Sequence, residues 1–220
     1  AANLNFENKT YEKALQEFCL LEQTAEISTH KLQALLGEME CYYLLNKFDS
    51  TIITSNKILA LEKADENVSE KASYYLAKSL LKNGNSGQAI EEFKKLTNAK
   101  NTEYASEAQY TLAEIQYNNG QLDESEKIIL EITSNPSSEF WLAKAFILWA
   151  DIFKERGNKI QAKQTLQSII DNYEGDQSII DEAQNKLNEI NNKQSQEQKL
   201  QEQKLQEQKE AVDEIIIENK

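Results

Sequence analysis

Proline occurs once in the 220 residues, glycine six times, and histidine and arginine once each, as His30 and Arg156. Each scarcity excludes something. With so few helix breakers, and with Ala, Leu, Glu, Lys and Gln abundant, the composition favours helix over sheet. Phosphate and nucleic-acid recognition lean on clustered Arg and Lys, so a single arginine at a net charge of −13 argues against a nucleic-acid partner. No run of eighteen apolar residues occurs, so no segment of this sequence spans a membrane. Two cysteines are too few for a disulfide framework in a chain of this size. Cys19 and Cys41 fall on helices of neighbouring repeats and read as buried free thiols, with an inter-repeat disulfide as the alternative.

Catalytic chemistry is equally thin. His30 follows Ser28-Thr29 in a loop-like stretch and reads as a surface residue. No His/Cys cluster has metal-ligand spacing. Gly84-Asn85-Ser86-Gly87 reads as a turn between helices, not a phosphate cradle between strand and helix. The carboxylate pairs Glu91-Glu92 and Asp123-Glu124 are adjacent in sequence, so they diverge on a helix surface. The expectation is a non-enzymatic protein without cofactor or metal.

What is present is a period. Taking Gly120 as a turn, equivalent positions fall at Lys9, Asn46, Gly84 and Gly157, with spacings of 36–38 residues. Seven residues before each turn lie Ala2, Met39, Ala77, Ala113 and Ala150. Five after come Ala14, Thr51, Ala89, Ser125 and Ala162; nine after, Phe18, Ser55, Phe93, Ile129 and Leu166; twelve after, Leu21, Ile58, Leu96, Ile132 and Ile169. The last three offsets share one helical face. Small residues recur where helices approach closely, and large apolar ones where their sides seal. The hairpin is therefore one of about five. Loop signals between hairpins are Asp65-Glu66-Asn67, Asn98–Thr102 and Ser134–Ser138.

The pattern resembles the tetratricopeptide repeat, with Leu112-Ala113, Tyr117, Gly120, Ser125 and Asn135-Pro136 falling near the positions that family marks. The spacing is longer than the family's usual ~34, only one unit keeps the terminal proline, and Asn46 and Lys9 replace glycine. The stretch 140–175 is similar to the end of large tetratricopeptide proteins from Bacteroidetes. The resemblance implies an all-α, right-handed α-solenoid of about five hairpins with a C-terminal capping helix and tail. It also implies a groove lined three and ten residues before the turns, by Tyr43, Leu81, Tyr117 and Lys154 and by Leu36, Tyr74, Tyr110 and Ile147. Such a groove would take a peptide or partner protein, with the isolated chain monomeric. The alternative is a structural spacer within a larger bacterial envelope-associated complex; the expected location is the bacterial periplasm or envelope, with the cytoplasm as the other possibility.

Residues 1–192 form the expected array. The sequence opens inside a first repeat, without an initiating Met, as if cut from something longer or processed. Ile179, Ile180, Ala183, Leu187 and Ile190 keep one apolar stripe, which suits a capping helix. Residues 193–220 form a low-complexity tail of "QEQKL" units, helical or disordered. Five residues turn a helix by ~500°, so Leu200 and Leu205 point ~140° apart and make no coiled-coil seam. Val212, Ile215 and Ile216 make a small apolar patch near the end.

Overall fold

The computed structural model describes residues 1–61 and 64–218, with side chains as far as Lys204 and at Gln206. Among them every regular element is an α-helix. The chain divides into two compact units, 1–138 and 139–220. The first holds α1 (Ala2–Glu7), α2 (Tyr11–Thr24), α3 (Ser28–Leu44), α4 (Phe48–Leu59), α5 (Glu66–Lys82), α6 (Ser86–Leu96), α7 (Thr102–Asn118) and α8 (Leu122–Ser134). The second holds α9 (Glu139–Glu155), α10 (Lys159–Asn172) and α11 (Gln177–Glu218). Within each unit, odd-numbered helices (the A helices) alternate with even-numbered B helices.

The five turns fall where the period puts them. Lys9, Asn46, Gly84, Gly120 and Gly157 have φ of +58°, +57°, +81°, +75° and +78°, and they are the only described residues in that region. Each ends its A helix in the same way. At Gly120 the glycine N–H donates to the Tyr117 carbonyl and the Gln121 N–H to the Gln116 carbonyl, both at 2.9 Å. Asn46 repeats this with Tyr43 and Tyr42 as acceptors. This paired closure satisfies carbonyls that the helix end leaves open, and it needs a left-handed residue at its centre. Glycine adopts that conformation freely and asparagine tolerates it, whereas lysine at residue 9 costs about 1–2 kcal/mol.

Burial follows the same register. The residues five after each turn (Ala14, Thr51, Ala89, Ser125, Ala162) are all fully buried. Of the other three offsets only Ala2 and Leu21, both in the first repeat, fall short of full burial. The small side chains let the A and B helices approach closely. At Ser125 the hydroxyl donates to the Ala113 carbonyl at 2.8 Å, which satisfies a polar group inside the contact.

Of the stretches read from sequence as loops, 98–101 joins α6 to α7 as read, whereas Glu66-Asn67 and Ser28-Thr29-His30 open helices. The Asp65 carboxylate accepts from the Val68 N–H at 2.9 Å and caps α5. Asn101 accepts from the N–H groups of Glu103 and Tyr104 and caps α7. Ser28-Thr29-His30 is the first turn of α3, with His30 exposed. Residues that accept at a helix N-terminus are also those that favour turns, so composition alone confuses the two.

In the second unit, Ile147, Ala150, Ala162, Leu166 and Ile169 of the α9/α10 hairpin form one core with Ile179, Ala183, Leu187 and Ile190 of α11. Four of the five stripe residues thus pack in this core, whereas Ile180 is half-buried outside it. Beyond Ile190 the residues with described side chains carry no buried position, although α11 continues without a break to Glu218. Two polar contacts hold its next turns to α10: Lys163 to Gln194 at 2.5 Å and Lys159 to Glu197 at 2.6 Å. The side chains of Val212, Ile215 and Ile216 lie outside the described residues.

Candidate functional site

The groove positions belong to a longer stripe along each A helix, at 13, 10, 6 and 3 residues before the turn. In the first unit this gives Gln33, Leu36, Glu40 and Tyr43 on α3, then Lys71, Tyr74, Lys78 and Leu81 on α5, then Glu107, Tyr110, Glu114 and Tyr117 on α7. Charges meet across neighbouring helices. Glu40 of α3 pairs with Lys71 of α5. Lys78 of α5 pairs with Glu107 of α7 at 2.7 Å. So α5 carries two cations on this stripe and is flanked by carboxylates, an arrangement that favours one neighbour order over others.

At the centre lies an aromatic seam. Tyr74 stacks on Tyr104 with centroids 4.3 Å apart. Its hydroxyl donates to a Glu107 carboxylate oxygen at 2.6 Å and accepts from Lys78 Nζ at 2.8 Å. The same ammonium lies 4.7 Å from the Tyr74 ring centroid and 5.7 Å from that of Tyr43. Tyr75 meets Tyr43 and Tyr74 edge-on at 5.2 and 5.4 Å. Burial, and after it the bond to Glu107, pushes the Tyr74 phenol well above its ordinary range. Tyr75 is pushed up by burial and by the charge of Glu40. Both stay neutral donors at physiological pH, each offering a rigid ring with a polar tip.

The eight expected groove residues divide. Leu36, Tyr43, Tyr74, Leu81 and Tyr117 are half-buried on the first unit. Leu36 rests against Leu35, Met39, Ile58 and Ala72, and Leu81 against the core around Phe93. Tyr110 is only 7 % exposed, with its hydroxyl 3.1 Å from Glu114. Ile147, at 2 %, is a core residue of the second unit. Tyr110 and Ile147 are thus packed and do not present a free surface, unlike Leu36 and Tyr74 at the same offset. Lys154, also in the second unit, reaches Asp151 at 3.2 Å. Sequence reasoning missed Tyr75, Tyr104, Lys78 and Glu107. Opposite charges six residues before one turn and thirteen before the next, Glu40 with Lys71 and Lys78 with Glu107, were the signal available for the last two.

The cysteines lie on the first hairpins. Both are free, Cys41 buried and Cys19 half-buried, with Cys19 Sγ 3.9 Å from the Tyr42 hydroxyl. Burial, with Glu40 second, pushes the Cys41 thiol up to about 12. Burial and then Glu38 raise Cys19. A thiol without thiolate character is a poor nucleophile. Native labelling by 5,5′-dithiobis(2-nitrobenzoate) at pH 8 should therefore leave Cys41 untouched for hours, and its modification within seconds would contradict the packing.

Glu38 of α3 sits beside them, 3 % exposed, with Oε1 lacking a hydrogen-bond partner among the described residues. Burial foremost, then Glu22, raises its pKa, while Lys57 opposes the shift. Lys57 is itself 3.9 Å from Glu22. A raised folded-state pKa contributes stability below the unfolded value, and that contribution is lost as pH rises through the folded value. Glu38→Gln should therefore melt higher than the parent at pH 7 and lose that advantage toward pH 4. An unchanged difference across that range would exclude a buried, strained carboxyl.

This architecture places the chain among α-solenoids of stacked helical hairpins. Segments 71–99 and 140–175 match the family model of the tetratricopeptide repeat. No curated protein sequence matches it. Among solved structures it is similar to YrrB, described as a TPR protein with an unusual peptide-binding site. That match has 19 % identity and a TM-score of 0.56, over 81 % of this chain and 86 % of that one. It is also similar to a variant of nearly identical TPR-like repeats from a putative kinesin light chain of Podospora anserina. There the identity is 15 % and the TM-score 0.57, over 76 % of this chain and 89 % of that one.

Proposed function

We propose that the chain is a non-enzymatic scaffold that holds a peptide or partner protein against the A-helix face of α3, α5 and α7. The observation that carries this reading is the half-buried aromatic seam of Tyr43, Tyr74, Tyr75 and Tyr104, with Leu36, Leu81 and Tyr117 on the same helices. Interface hot spots are enriched in tyrosine because its ring supplies contact area with little rotamer entropy to lose. The peptide-binding description of YrrB supports the same class of partner. Among the described residues no three His, Cys, Asp or Glu side chains group to hold a metal ion.

The test is a set of single alanine variants at Leu36, Tyr43 and Tyr117, each measured for melting and for capture of partners from a native extract. These side chains are half-buried, so each should cost stability by about 1–2 kcal/mol. A hot-spot loss of ~2 kcal/mol weakens binding about 30-fold. Capture that survives in all three would remove this face as the working surface.

A further inference from the structure

The second unit carries a separate cleft, at the open end of the α9/α10 hairpin, away from Gly157. Its volume is about 630 Å³, within the size range of ligand pockets. Leu142 and Phe146 of α9, with Ile169 and Tyr173 of α10 and its end, line it with apolar surface, and Glu139 and Glu174 also line it. No lysine or arginine is among its lining residues.

Two features hold the cleft in shape. The Tyr173 ring folds over Gly175, where a Cβ would collide with it. Its hydroxyl accepts from the Asp176 N–H at 3.3 Å, so the turn into α11 fixes the ring. Phe146 stacks along α9 with Trp149, centroids 6.1 Å apart. Two polar side chains on the α10 wall are turned inward on their own helix: Thr165 donates to the Gln161 carbonyl at 3.0 Å and Asn172 to the Ser168 carbonyl at 2.8 Å. What remains for a ligand is apolar area, the Gln164 amide and two carboxylates.

We propose that this cleft binds a short peptide segment that places an aliphatic or aromatic side chain between Phe146, Ile169 and Tyr173 and a lysine or arginine at Glu139 or Glu174. Charge complementarity selects the occupant. An acidic segment would bring like charge to two carboxylates with no cation in the lining, whereas a basic one gains at both. The site is independent of the A-helix face of the first unit, so either can fail without the other.

The experiment is calorimetric titration of the whole 220-residue chain with acetyl-Lys-Leu-Phe-Lys-amide and with acetyl-Glu-Leu-Phe-Glu-amide. Tryptophan fluorescence serves as the local reporter, since Trp141 and Trp149, the only two, both lie on α9. The basic peptide should bind saturably and at least tenfold more tightly than the acidic one, and it should shift the fluorescence. Ser168→Phe, at an exposed position that lines the cleft, should weaken binding at least tenfold with melting unchanged. If that variant misfolds, the doubly neutralised Glu139→Gln/Glu174→Gln decides, with an expected loss of about tenfold. Tyr43→Ala on the first unit should leave the titration as it was. Failure to saturate, equal binding of the acidic peptide, or full affinity in a folded cleft variant would overturn the proposal.

Discussion

Replacing Phe93 by alanine should lower the stability of the first unit by about 3–5 kcal/mol, the usual cost of deleting a fully enclosed aromatic side chain. Phe93 is 1 % exposed and is the largest fully buried side chain described. It occupies the position nine after the Gly84 turn and packs in one cluster with Leu76, Leu80, Ala108 and Leu112. Those residues belong to α5 and α7, so one truncation weakens contacts on both sides of α6. Each repeat touches only its neighbours, and the deficit cannot be shared over a global core. Urea unfolding followed by far-ultraviolet circular dichroism should show an early loss of helix. Phe93→Leu, which keeps most of the volume, should cost far less, under about 1.5 kcal/mol. An alanine variant within 1 kcal/mol of the parent would mean that the hairpins are not packed in this register.

The seam gives the second large effect. Lys78→Met keeps the aliphatic stem over the Tyr43 and Tyr74 rings but removes the cation from Glu107, whose side chain is 14 % exposed against 24 % for Lys78. Removing one member of a fully buried pair costs ~3–5 kcal/mol. Partial exposure screens the remaining charge, so about 1–2 kcal/mol is expected here. Tyr74→Phe removes a hydroxyl bonded to the same carboxylate, at about 1.5 kcal/mol. The two act on one group, and their double-mutant cycle should show coupling of at least 0.5 kcal/mol. Raising the salt concentration should shrink the Lys78→Met effect but leave that of Phe93→Ala almost unchanged, because screening acts on the ion pair alone. Additive effects would show that Glu107 does not join the two helices.

The hairpins were legible because their constraints are local. A left-handed turn residue, a small residue where helices cross and an apolar one where they seal each restrict a single position, and together they repeat. Lys9 and Asn46 were found through register, not residue type. The aromatic seam was less legible. Tyr75 and Tyr104 stand nine and sixteen residues before their turns, off the groove stripe, and they reach the seam because neighbouring A helices lie side by side. Tyr110 and Ile147 share their stripe with Leu36 and Tyr74 but are more deeply packed, a difference that a periodic pattern cannot express. Asp65 and Asn101 are loop residues, as read, but their capping of α5 and α7 was not read, because a capping side chain and a turn side chain are chemically the same.

The central claim is that the A-helix face of the first unit is the working surface. Photocrosslinking from defined positions tests it most directly, with p-benzoylphenylalanine placed singly at Leu36 and Tyr43 on α3. The same probe at Ile53 of α4 and Leu130 of α8, which are 60 % and 47 % exposed on B helices, serves as the opposing face. In a native extract, the two α3 positions should give a common covalent adduct and the two B-helix positions none. Adducts arising equally from both faces, or only from Ile53 and Leu130, would contradict the account.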